Sequence, residues 1–169
     1  MKKIEFKSQI CTTQEQSQKL LDMGLKLETA DMTYHFTNSQ IEAMQWELQT
    51  KPPTLRGEFW TEERIARLVR GGESGEEVFD RIWGNDVPAW SLSRLLELLP
   101  ECIKRLDEPD TILDIERFNK CWWVSYMEDE TDDIRDCLYS VKGNELFEPC
   151  ISMIEVLIKN NYFNKDYLQ

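Results

Sequence analysis

The sequence predicts an α+β fold: a small antiparallel sheet of three to five strands, with helices packed mainly on one face. Three observations carry this. Residues 30–37 alternate strictly between apolar and polar, and apolar, β-prone runs recur between 111 and 141. Capping signals followed by 3.6-residue periodicity recur through the remainder. The two most apolar helical stretches, 91–106 and 145–160, flank the strand-rich region and so are placed together on one side of it.

Each element follows from local chemistry. Thr12 and Glu15 form a capping box for a helix over about 13–23, and Gly24 supplies the left-handed stop. In the next segment Ala30, Met32, Tyr34 and Phe36 share one face while Asp31, Thr33, His35 and Thr37 share the other, which describes a half-buried strand. Between Ser39 and Leu48, the spacing of Ile41, Met44 and Leu48 with Trp46 beside them predicts a short helix, ended by Lys51, Pro52 and Pro53. Thr61 caps a helix over 62–69 that carries Glu62 and Glu63 in its first turn, where the helix dipole favours acids. Gly71, Gly72 and Gly75 break the chain. Ser74 and Glu77 then form a second capping box leading into Val78, Phe79, Ile82 and Trp83, closed by Gly84 and Asn85.

After Pro88, Ser91 caps a helix whose apolar positions Leu92, Leu95, Leu96, Leu99, Ile103 and Leu106 hold phase through Pro100, so one kinked helix is expected. Strands follow at 112–115, 121–127 and 134–141, the last two joined across the acidic residues 128–133 as a hairpin. A final helix starts at Asn144 or Glu145. Its apolar residues, Leu146, Cys150, Ile151, Met153, Ile154, Leu157 and Ile158, cover more than one face, as in a central helix packed on the sheet.

At 169 residues the chain fits one domain over 1–169, with a helical insertion at about 51–86. That length buries roughly 70% of the unfolded surface without disulfide or metal staples. The apolar stretch 150–158, interrupted by Ser152 and Glu155, falls short of the ~20 residues a membrane span needs. Lys2, Lys3 and Lys7 precede no apolar run, so a cytoplasmic protein is expected. Cys11, Cys102, Cys121, Cys137 and Cys150 are odd in number and widely spread, which fits buried thiols in a reducing compartment. The net charge is −12: residues 1–84 carry 11 basic and 14 acidic groups, residues 85–169 carry 9 and 18. Phosphate-backbone binding needs clustered Lys and Arg; no such stripe is present, so direct nucleic-acid binding is not expected.

Catalytic and cofactor motifs are not found. His35 is the single histidine, and Asp31 on the same strand face lies too far along it to orient the imidazole. The loop Gly71, Gly72, Glu73, Ser74, Gly75 lacks the P-loop lysine. A calcium loop counted from Asp129 would place Ile134 and Ser140 where glycine and glutamate belong, so no metal or cofactor is expected. The acidic group Glu128, Asp129, Glu130, Asp132, Asp133 and Asp136 fits a solvated hairpin tip. Its sharper reading is an acidic surface that mimics nucleic acid. A carboxylate-dependent small-molecule enzyme using Tyr34 or Tyr126 is a further alternative. Among six tryptophans, Trp60, Trp83, Trp90, Trp122 and Trp123 are candidate partner-binding residues, because adjacent Trp122 and Trp123 must point to opposite faces of a strand. A helix over 61–83 folding back would cover the second of them. These features favour a non-enzymatic protein-interaction or regulatory module with an unknown protein partner and no membrane association.

The run Thr13 to Ser17 with Leu20, Leu21, Gly24 and Leu25, then Glu28 to Met32 with Tyr34, then residues 88–100 and the helix over 149–157, resembles a group of small uncharacterised proteins of Bacteroidetes genomes, often encoded in prophages and other mobile elements. The resemblance spans most of the chain, with the stretch from about Lys51 to Asp86 as an addition. It implies a genomic setting and no catalytic residue.

Overall fold

The computed structural model describes residues 9–37, 45–51, 61–128 and 136–169. The fold is α+β, with five helices and two antiparallel sheets among these residues. In chain order the elements are α1 (Gln14–Asp22), β1 (Met32–Phe36), β2 (Trp46–Gln49), α2 (Glu62–Ala66), α3 (Gly75–Trp83), β3 (Val87–Ala89), α4 (Leu92–Leu98), β4 (Cys102–Ile103), β5 (Thr111–Phe118), β6 (Cys121–Glu128), β7 (Cys137–Gly143) and α5 (Phe147–Lys159). One sheet has the order β2-β1-β3 and the other β4-β5-β6-β7. The helices α2 and α3 are inserted between two strands of the three-stranded sheet.

The main core lies between the four-stranded sheet and a layer formed by α5, α4 and α1. Leu20, Leu25, Trp90, Leu95, Val124, Tyr126, Met153, Ile154 and Leu157 are buried within it. The start of α5 crosses close over β7: a Cβ on Gly143 would lie 2.7 Å from Pro149 Cδ, so glycine is required by this approach. A smaller core of Cys11, Met32 and Ala89 serves the three-stranded sheet.

The capping box of α1 sits one residue later than expected. Thr13 accepts from Gln16 N–H and Gln16 Oε1 accepts from Thr13 N–H. Thr12 is drawn inward instead, bonded to Ser17 Oγ at 2.7 Å and accepting from Trp90 N–H at 3.0 Å. Gly24 is left-handed at φ +91°, as the helix stop requires. The expected box of Ser74 with Glu77 forms, as does the Ser91 cap. Thr61 holds the N-cap position of α2 without a side-chain cap bond, and that helix ends at Ala66 instead of reaching 69.

Three expectations are corrected. Trp46–Gln49 is a strand, not the end of a helix: it pairs with β1, Phe36 opposite Trp46. The adjoining residues 39–44 of that predicted helix lie outside the described residues. The kinked helix over 91–106 stops at Leu98, because Leu99 precedes Pro100 and adopts extended geometry (ψ 128°). The chain then turns into β4, which leaves Leu106 94% exposed instead of on an apolar face. β1 is more than half-buried, since Thr33 on its polar face is fully covered and donates to Lys51 O at 2.9 Å.

Candidate interaction surface

Antiparallel pairing fixes which side chains share a face of the four-stranded sheet. Leu113, Ile115, Val124, Tyr126, Tyr139 and Val141 belong to the side that packs against α5. The other side is ordered in rows across the strands. Cys102, Ile112 and Met127 form one; Asp114, Ser125 and Ser140 the next; Glu116, Trp123 and Lys142 the third; Phe118 and Cys121 the last. Apolar groups therefore occupy both ends of this face, and between them Trp123 stands among the polar groups Asp114, Glu116, Ser125, Ser140 and Lys142. Ser125 and Ser140 bond to each other at 2.9 Å. The ammonium of Lys142 stands 5.2 Å from the Trp123 ring centroid. Phe118 is 61% exposed. The turn from β5 into β6 is the two residues Asn119 and Lys120, both with positive φ as a tight right-twisted hairpin demands.

Of the five tryptophans expected to meet a partner, the structure separates them by environment. Trp123 is part-exposed on the open face. Trp122 points to the opposite side, at the edge of the helix layer, where Arg117 lies 5.6 Å from its ring. Trp90 is corrected: it is fully buried, its Nε1–H donating to Thr29 Oγ1 at 2.9 Å, and so it is scaffold. Trp83 is part-buried and packs on Phe79 within α3, with ring centroids 4.8 Å apart. Trp60 lies outside the described residues. The helices over 61–83 pack chiefly on each other and on β1, so they are not the cover expected for the second sheet face.

The acidic set is likewise divided. Glu128 is not a free surface acid, for its carboxylate is 2.9 Å from the Arg105 guanidinium. Asp136 is exposed, and its carbonyl accepts from Glu128 N–H across the β6–β7 hairpin. Asp129, Glu130, Asp132 and Asp133 lie outside the described residues.

Groups suited to acid–base chemistry are engaged structurally. Tyr126 is buried and donates to Pro100 O at 2.6 Å; Tyr34 donates to Thr12 O at 2.9 Å and accepts from Cys11 Sγ at 3.4 Å. Burial holds both phenols above their ordinary range. His35 Nδ1 meets Asp86 Oδ1 at 2.9 Å, and the same oxygen accepts from Phe36 N–H at 3.0 Å. Asp86 was not legible as this partner, because it lies far along the chain beyond two helices. The thiols also depart from expectation: Cys11 and Cys150 are buried, Cys102 and Cys121 are half-buried, and Cys137 is exposed. Among the described residues no three His, Cys, Asp or Glu groups cluster as metal ligands, and no helix is long and apolar enough to cross a membrane.

Sequence reasoning alone misses the open-face residues Ile112, Asp114, Glu116 and Phe118. Their alternation with Leu113, Ile115 and Arg117 was the available signal. No family model, curated protein or solved structure matches the chain.

Proposed function

We propose that this chain is a non-enzymatic protein-interaction or regulatory module that engages its partner through the open face of the four-stranded sheet. One observation carries the reading: Trp123, Met127, Ile112 and Phe118 lie on the sheet face turned away from the helices, with charged groups between them. Apolar and aromatic side chains on a sheet face turned away from the helices, interleaved with charged groups, are the kind of mixed surface that a protein partner buries. The Lys142 ammonium over Trp123 argues against sugar or base stacking, since it occupies a ring face such a ligand would need. We place it in a bacterial host, the mobile-element setting that the resemblance implies, and in the cytoplasm, where five widely spread cysteines fit a reducing compartment.

The test uses the tagged full chain as bait in lysate of its own host, beside the double variant Phe118→Ser, Trp123→Ala. Retained circular dichroism with loss of a protein captured by the unaltered chain is the expected result. The same captured set for both baits would refute the reading.

A further inference from the structure

The strand β4 is only two residues long and covers Ile112 and Thr111, after which Leu113 N–H reaches Glu101 O at 3.0 Å. β5 continues to Phe118. Because Leu113 turns its N–H outward, the two-residue period of a strand turns the backbone groups of Ile115 and Arg117 outward as well. Neither has a hydrogen-bond partner on that side among the described residues. Such a row is a template for an added strand.

The side chains flanking that edge state what strand would fit. Asp114 and Glu116 are exposed on the open face, about 7 Å apart at this spacing. Neither has an ion-pair partner among the described residues, and Lys142 on the same face is engaged by Trp123. A second copy of this chain fits poorly. Antiparallel self-pairing about Ile115 would set Asp114 opposite Glu116 twice, and like charges directly opposite destabilise a ladder. Opposite charges there stabilise it. Ile115, on the helix side and half-buried, favours an apolar residue between the two charges.

We propose that the outer edge of β5 beyond β4 receives an extended segment of a partner protein bearing Lys or Arg at alternate positions, with an apolar residue between. This rests on the interaction-module reading and places the partner at a particular edge.

The probe is a short acetylated peptide alternating lysine with valine, with a glutamate-for-lysine peptide as control, added to the full chain and followed by amide exchange. Protection of the Ile115 and Arg117 amides by the lysine peptide alone is expected. The double variant Asp114→Asn, Glu116→Gln should weaken binding about three- to tenfold. Removing the same charge elsewhere, with Glu62→Gln and Glu76→Gln, should leave it within about twofold. No binding, binding without protection of those two amides, or equal weakening in both doubles would overturn the proposal. A captured partner that depends on Trp123 yet survives the Asp114 and Glu116 changes would leave the module reading standing and remove only this placement.

Discussion

The carboxylate of Asp31 holds Ser91 at two points: Oδ1 accepts from its backbone N–H at 2.8 Å and Oδ2 from its hydroxyl at 2.5 Å. Ser91 Oγ in turn accepts from Arg94 N–H as the cap of α4. One acid at the entry to β1 therefore fixes the start of a helix 60 residues away in sequence.

Hydrogen bonds to charged groups are worth about 1.5–3 kcal/mol each. Asp31→Ala should accordingly lower stability by about 2–3 kcal/mol, and Asp31→Asn by about 1–2 kcal/mol because the amide retains one acceptor. Urea unfolding should show a lower midpoint with an unchanged slope, the signature of lost stability without a changed unfolded state.

The β5–β6 turn makes a prediction of the opposite sign. Lys120 sits at φ +66°, and a side chain there meets steric conflict that glycine avoids. With Asn119 before it, Lys120→Gly creates the preferred pair for this turn type. It should stabilise the protein by about 0.5–1 kcal/mol, read as a higher thermal midpoint.

What the sequence discloses follows the range of the interactions involved. The helix at 75–83 was legible because Ser74 and Glu77 answer each other within one turn. The strands at 111–141 were legible from apolar runs. Periodicity carries the helix that begins at Leu92 on to 106 because Ile103 keeps helical phase, yet the backbone has already turned at Leu99, and periodicity holds no information about pairing with β5. Trp46 fits helical spacing for the same reason: its pairing with Phe36 is tertiary. The candidate surface was half legible. Opposite facing of Trp122 and Trp123 follows from strand geometry, whereas the selection of Trp123 for the open side depends on where α5 packs.

Acid should act on a surface triad. Hydrogen bonds from Lys159 and Lys19 push the Glu155 carboxyl down to about 2 from an ordinary 4.5. A depressed folded-state pKa contributes stability that is present above about 4.5 and lost as pH falls through about 2. Glu155 is 29% exposed and water screens the pair, so the contribution is under about 1 kcal/mol. Glu155→Gln should flatten the stability profile between those pH values, as measured by urea midpoints, and leave its slope above pH 5 unchanged. Molar salt should shrink the difference between the two proteins.

Thiol labelling should separate the cysteines by access. Burial pushes the Cys150 thiol up to about 12 and raises Cys11, so thiolate is scarce at both. Cys137 is exposed, although partial desolvation raises its thiol too. Iodoacetamide on the native protein should therefore modify Cys137 first and reach Cys150 and Cys11 only on unfolding. Peptide mass mapping against time checks this order, and early labelling of Cys150 would contradict the packing of α5 on the sheet.

The two kinds of tryptophan should differ most plainly in stability. Trp90 is 0% exposed and its indole N–H donates to the Thr29 hydroxyl, which itself donates to Lys26 O at 2.7 Å, so Trp90→Leu leaves a cavity and removes the bond that hydroxyl accepts. A loss of about 3 kcal/mol or more is expected. Trp123 lies on the open face, and its Lys142 contact is worth about 0.5–1 kcal/mol at such a site. Trp123→Leu should cost about 1 kcal/mol or less, while removing a fluorophore that acrylamide can reach. Quenching should thus fall in Trp123→Leu and rise in Trp90→Leu as the core loosens. If Trp123→Leu instead unfolds the protein while Trp90→Leu does not, the sheet face turned away from the helices is part of the core and cannot be where a partner binds.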